Sequence, residues 1–246
     1  LVHLADNAKD MGSRYAAFSR PSVAAIQRRL LLLEEAGGTR FFGEPAVQLA
    51  DLLQQAPDGR GIVNLLDARK LVSQPRLYSS FLLWLLSELY ETLPEVGDAD
   101  RPKIAFFFDE AHLLFSDAPK SLRERVEQVV RLIRSRGVGI YFISQSPGDI
   151  PDTVLAQLGN RIQHALRAYT PGEQKAVRVA ADAFRANPAF ETRSVIGELA
   201  VGEALVSTLD AGGVPTMVER VLVRPPSSRM GPLVDAERAA LLKEDL

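Results

Sequence analysis

The chain has 246 residues, 46% of them hydrophobic, a net charge of −2 and no cysteine. That composition supports a sizeable core in one large or two small domains, and it excludes wholesale disorder, disulfides and thiolate metal sites. No global basic field advertises nucleic acid, although a motor threading DNA through a local pore can carry this balance.

The lack of cysteine fits a reducing cytoplasm. The first residue is Leu1, with no initiator methionine and no signal-peptide pattern, which reads as a fragment of a longer protein. The segment up to about residue 35 is expected to be helical. Ile26, Leu30 and Leu33 recur at helical spacing, and Gly37 with Gly38 stops the pattern. Arg20, Arg28 and Arg29 give it a basic flank, most simply a solvated helix face, alternatively a nucleic-acid or subunit contact.

A short helix is expected over 45–55, ended by Pro57, Asp58 and Gly59, then a short strand over 61–67. A long helix over 75–93 is apolar on nearly every face and is expected inside the domain, with Trp84 in the core. Its most apolar stretch, 81–86, is flanked by Ser79, Ser80, Ser87, Glu88 and Glu91, too short to span a bilayer.

The run Ile104, Ala105, Phe106, Phe107, Phe108 reads as a parallel strand buried on both faces. Leu122, Val126, Val129, Val130 and Ile133 mark an amphipathic helix, and 137–145 is the next strand. A short helix over 151–158 and a strand over 162–169 follow. Thr170 as N-cap and Pro171 in the first turn open a helix through Phe184. Strands at 204–209 and 217–223 flank a turn over 210–215, a hairpin signal, and a polar tail ends in a short helix. Strands alternating with helices from 61 to 184 predict an α/β fold around a doubly wound, mostly parallel sheet. The hairpin adds antiparallel strands at one edge.

The chemistry is concentrated where the 104–108 run ends in Asp109 and Glu110. Ligands of open α/β sheets bind at the carboxyl ends of strands. In nucleotide hydrolases the first carboxylate of such a pair holds Mg²⁺, and the second can polarise an attacking water. Carboxylates also end strands simply because water begins there. Gln145 closes the next strand, so a parallel pairing sets an amide beside the carboxylates, where it can sense a terminal phosphate. Arg131, Arg134 and Arg136 end the intervening helix. Their forks suit phosphate oxygens, and the helix dipole favours cations there in any case. His3, His112 and His164 are dispersed without metal-ligand spacing, and His112 is expected to be a hydrogen-bonding support. No Gly-x-x-x-x-Gly-Lys-Ser/Thr loop occurs in the chain, so no backbone cradle for phosphates is encoded in it.

Six runs carry a family resemblance: FFGEP at 41–45, RLYSSFLLWLLSEL at 76–89, FFFDEAHLLF at 106–115, VVRLIRSRGVG at 129–139, QLGNRIQHALR at 157–167 and VGEALV at 201–206. Together they resemble the carboxyl-terminal part of bacterial HerA-like ATPases of the HerA/FtsK class, of the YjgR type. The resemblance implies a RecA-like core that works as a homo-oligomeric ring, commonly a hexamer, translocating on DNA with ATP and Mg²⁺. It implies Asp109 as the Walker B metal residue, Glu110 as catalytic base, Gln145 as sensor and Arg134 as the finger reaching the next subunit, with Arg136 as fallback. Arg161 and Arg167 flank the following strand.

The expected organisation is a helical segment over 1–58, an ATPase core lacking the phosphate loop over 59–224, and a tail over 225–246, with no integral membrane segment. The fragment by itself is expected to be inactive. The loops 114–120 and 146–152 are candidate pore contacts for DNA. A non-hydrolysing scaffold that kept the fold is the alternative, and an ATPase acting on protein or membrane-associated partners is a third reading.

Overall fold

The computed structural model describes residues 20–35, 37–38, 43, 47–68, 71, 73–97, 100–115 and 119–244. Contacts divide the chain into two compact units, Leu1–Leu158 and Gly159–Leu246.

The first unit holds helix α1 (Arg20–Glu35), a single turn α2 (Leu49–Leu52) and the long helix α3 (Pro75–Thr92). Pro75 sits at the start of α3, where its fixed φ is pre-organised and its missing N–H has no intrahelical partner to lose. Strand β1 (Ile104–Phe108), helix α4 (Lys120–Leu132) and strand β2 (Val138–Phe142) follow, and a further turn, α5 (Asp152–Leu155), closes the unit. The strands β1 and β2 pair in parallel, Ile104 opposite Val138 and Phe108 opposite Phe142. A parallel pair needs a crossover, and α4 supplies it.

The core of this unit is built from periodic positions. Leu82, Leu85, Leu86 and Leu89 of α3 pack with Leu122, Val126 and Val129 of α4 against Phe106, Phe108, Ile140 and Phe142. Each buried leucine contributes about 2 kcal/mol through apolar surface removed from water. Phe108 and Phe142 stack with centroids 5.7 Å apart, and Phe115 meets Phe142 edge-on. Gly137 ends the 3₁₀ turn Ile133–Arg136 at φ 74°, a left-handed conformation suited to glycine. A side chain there would press on Val96 and Lys103.

Four expectations for this unit are corrected. Residues 61–67 form no strand: Gly61 makes an isolated bridge to Gln55, and Val63 and Leu65 are 82% and 90% exposed. An extended apolar segment becomes a strand only when a neighbour takes its backbone groups in succession, and among the described residues the bridge at Gly61 is not followed by a second pair. The β1 strand is not buried on both faces. Its alternate residue Phe107 is 65% exposed and stacks on the exposed Tyr141, 4.5 Å away, because α3 and α4 share the opposite face. Trp84 is 40% exposed rather than core, since the α3 stripe that packs is Leu82, Leu85, Leu86 and Leu89. The 45–55 helix is four residues long, and Pro45 and most of 41–46 lie outside the described residues.

The second unit contains β3 (Arg161–Gln163), helices α6 (Pro171–Asp182) and α7 (Thr192–Glu198), the hairpin strands β4 (Glu203–Ser207) and β5 (Glu219–Leu222), and α8 (Asp235–Glu244). Thr170 caps α6 as expected, within a reciprocal capping box with Glu173. The α7 helix was not anticipated, being seven residues with little period to read. Strand order is β3-β4-β5, all antiparallel.

The hairpin is as expected, with Asp210 Oδ1 accepting from Gly212 N and Val214 N in its turn. The expected 162–169 strand is shorter and joins this sheet instead of extending the parallel pair. A central parallel strand is apolar on both faces, whereas β3 alternates Arg161 and Gln163 around an Ile162 that is 67% exposed. Val177, Ala180, Val195, Ile196, Leu199, Leu205 and Val218 form the core. The α/β class with a parallel sheet and an antiparallel hairpin is as expected.

Candidate functional site

Backbone pairing continues past the ends of β1 and β2 and draws their exits together. Ile143 N donates to Phe108 O at 2.9 Å, and Ala111 N donates to Ile143 O at 2.8 Å. Between these two bonds lie Asp109 and Glu110. Glu110 is the one non-glycine among the described residues with positive φ, at φ 50° and ψ 50°. That conformation costs a glutamate about 1 kcal/mol and marks a place where the chain is bent to deliver a side chain.

The delivered side chain meets Gln145. Gln145 Nε2 donates to Glu110 Oε1 at 2.9 Å, although 35 residues separate them. The other carboxylate oxygen, Oε2, is shielded from solvent and lies 3.2 Å from His112 Nδ1, an ion-pair distance without the alignment of a good hydrogen bond. The glutamate and histidine side chains are 42% and 38% exposed, so the cluster sits at an open strand tip. Asp109 is exposed, and its Oδ1 accepts from Glu110 N at 3.0 Å. Among the described residues no group of three or more His, Asp or Glu side chains could hold a metal ion.

Gln145 is itself held by its neighbours. Asp149 Oδ2 accepts from Ser144 Oγ and from Ser146 N, the latter at 3.2 Å. Ser146 and Asp149 form the reciprocal capping box of the 3₁₀ turn Pro147–Asp149. Asp149 is not among the site residues expected from the sequence, where it falls only within the 146–152 loop. The Ser-Pro-Gly-Asp spacing of 146–149 is the capping-box pattern that reveals it.

The arginines are not brought to this cluster. Arg134 and Arg136 lie on the 3₁₀ turn Ile133–Arg136, before the start of β2, whereas Glu110 and Gln145 follow the strand ends. Five strand residues put on the order of 16 Å between the two ends. Arg134 is exposed. Arg136 is not: its side chain is 16% exposed, its guanidinium lies 4.5 Å from the Tyr90 ring centroid, and Nη1 donates to Leu93 O. In the second unit Arg167 donates to the carbonyls of Gly197 and Leu199 and so fixes the end of α7. An open cleft of about 670 Å³ in that unit is bordered by Arg167, Tyr169, Glu191 and Arg193. Arg167 and Glu191 are already engaged there, Glu191 capping α7 through Arg193 N and Ser194 N. Of the candidate pore loops, residues 116–118 lie outside the described residues.

A parallel strand pair delivering an Asp-Glu turn beside a glutamine on the next strand exit defines the class: an α/β protein of RecA-like fold. The plasmid coupling protein TrwB, solved with a non-hydrolysable GTP analogue, shares this fold with a TM-score of 0.56 at 13% identity, over 85% of this chain and 51% of that one. B204, the DNA-packaging ATPase from Sulfolobus turreted icosahedral virus, aligns at 14% identity with a TM-score of 0.43, over 76% of each chain. The profile of the helicase HerA-like C-terminal family matches residues 1–246, and the chain belongs to that family. A probable helicase of Methanocaldococcus jannaschii is 26% identical over 154 residues, covering 58% of this chain and 28% of the relative. The chain thus spans little more than a quarter of that curated relative's length. No helix among the described residues is long and apolar enough to cross a membrane.

Proposed function

We propose that the chain is the carboxyl-terminal part of a Mg²⁺-dependent ATPase motor that acts on DNA as a homo-oligomeric ring in the cytoplasm. One observation carries the reading: the 2.9 Å bond from Gln145 to Glu110 across neighbouring strand exits. An amide carries two N–H donors and an acceptor oxygen. With one N–H on Glu110, Gln145 keeps a second donor and its oxygen for a phosphate oxygen or a water. Glu110 then has the carboxylate that takes the proton of that water. His112 steadies the far oxygen of Glu110 from 3.2 Å.

Asp109 fits Mg²⁺ as a single hard oxygen ligand on an exposed turn; among the described residues no group of three acidic or histidine side chains could hold a metal, so water and phosphate oxygens would complete the shell. Bound Mg²⁺ supplies charge neutralisation on the phosphates. Arg134, on the turn before β2 and so a strand's length from Glu110, is proposed as the finger that reaches a neighbouring protomer's nucleotide, a role its distance from this cluster supports. The 246 residues contain no phosphate-binding Gly-rich Lys loop, which favours a second reading, a nucleotide-independent scaffold of the same fold.

Glu110→Gln in the full-length protein separates the two. The motor reading expects Mg²⁺-ATP hydrolysis to fall about 10²–10⁴-fold with nucleotide binding retained. Turnover near wild type removes Glu110 from its role, and a wild-type protein that neither binds nor hydrolyses ATP supports the scaffold. Stimulation of the wild-type rate by duplex DNA tests the substrate.

A further inference from the structure

We propose that Asp149 is a positioning residue for Gln145. Gln145 sits on an exposed turn beyond the end of β2, where an amide side chain on a free loop has many rotamers and one productive direction. Both of its chain neighbours are tied to a single carboxylate oxygen. Ser144 Oγ and Ser146 N donate to Asp149 Oδ2, while Asp149 N returns a bond of 3.2 Å to Ser146 O and the Ser146 side chain accepts from the same N–H. The clamp holds the Ser144 side chain before Gln145 and the Ser146 backbone after it, which narrows the freedom left to Gln145 largely to its own side-chain torsions.

The opposite wall is fixed independently by the Ile143–Phe108 and Ala111–Ile143 backbone bonds. The 2.9 Å contact to Glu110 therefore depends on two supports, the sheet on one side and Asp149 on the other. Asp149 touches neither Glu110 nor the open tip in any bond of the site, so it acts through Gln145. Its structural role stands on the geometry; its kinetic consequence rests on the hydrolase reading above.

The test uses Asp149→Ala, Asp149→Asn, Gln145→Ala and the double alanine variant of the full-length protein, with two readouts. The first is solvent exchange of the Gln145 side-chain amide protons by NMR, which needs no hydrolysis. Asp149→Ala is expected to speed it about tenfold, since the protecting bond to Glu110 is lost for much of the time. Asparagine retains a carbonyl oxygen that accepts from both Ser144 and Ser146, and is expected to restore slow exchange. The second readout is Mg²⁺-ATP turnover. Asp149→Ala is expected to lower kcat about 10- to 100-fold with KM changed less than about twofold. In the Gln145→Ala background the same substitution is expected to change kcat less than about twofold, because its target is gone.

Unchanged amide exchange in a folded Asp149→Ala protein overturns the proposal, as does a double variant whose kcat falls by the product of the single effects. If Asp149→Ala fails to fold, Asp149→Asn and Ser144→Ala decide: slow exchange with asparagine and faster exchange with Ser144→Ala support the clamp, and the reverse overturns it. A wild-type protein without turnover sinks the hydrolase reading, and the exchange readout still decides Asp149.

Discussion

At the residue scale, identical side chains acquire different work from a few ångströms of placement. Arg134 and Arg136 stand two apart on one 3₁₀ turn, and the sequence offers either as a phosphate-seeking finger. Arg136 lies across Tyr90, whose ring also faces the Arg125 guanidinium at 5.3 Å, and it joins the carbonyl of Leu93 and, at 3.8 Å, the Glu95 carboxylate. It holds the end of α3 to the end of α4. Arg136→Ala is expected to cost about 2 kcal/mol, through a charged hydrogen bond and the packing of the aliphatic stem. Arg136→Lys is expected to recover little of it, since an ammonium cannot stack and fork at once. Urea unfolding of the chain measures both; wild-type stability in Arg136→Ala would return this arginine to the list of candidate fingers.

At the element scale, structure written in local codes was legible and structure that needs a distant partner was not. The start of α6 follows from Thr170, Pro171 and Glu173 because each acts on backbone groups within three residues. Thr170→Ala is expected to cost about 1 kcal/mol, read from amide exchange across α6. The carboxyl of Glu173 is held below its ordinary range chiefly by the backbone N–H of Thr170, then that of Tyr169. Glu203 is held low first by Arg220, its bidentate cross-strand partner, and then by Ala200 N. A depressed carboxylate stabilises the folded state fully above its unfolded value and loses that contribution as pH falls through its folded value. The second unit is therefore expected to keep this contribution from pH 7 down to about 5 and to lose it progressively below about pH 4.3. Glu173→Gln should flatten part of that decline in a urea titration against pH; an unchanged decline would deny the cap its electrostatic share. Residues 61–67 show the opposite case. Their composition suits a strand, but a strand is a relation between two segments, and the bridge from Gln55 to Gly61 stops after one pair.

At the scale of the whole molecule, each unit closes its own core, and the parallel pair of the first unit shows an apolar face. Phe106 and Phe107 are adjacent and chemically identical, yet Phe106 packs against the α3–α4 core while Phe107 is 65% exposed on Tyr141. Phe106→Gln is expected to destabilise the chain by about 3 kcal/mol or more. Phe107→Gln is expected to cost less than about 1 kcal/mol, most of it the ring stacking. Equal losses in denaturant unfolding would mean that both faces are covered in solution.

The sequence by itself determined the α/β class, the stripe of α4, the cap of α6, the hairpin, and the placing of Asp109 and Glu110 directly after a strand, because these depend on period, turn chemistry and neighbours in the chain. Only the tertiary structure decided which strands pair, which face of β1 is covered, that β3 belongs with β4, and that Arg136 is committed to Tyr90. The meeting of Glu110 with Gln145 belongs to both levels. Their positions at strand ends are written locally, but the bond between them exists because the ladder runs past the strands and the Asp149 clamp holds the turn. Backbone pairing and side-chain contact across 35 residues are set by the free energy of the assembled unit, which no window of sequence contains.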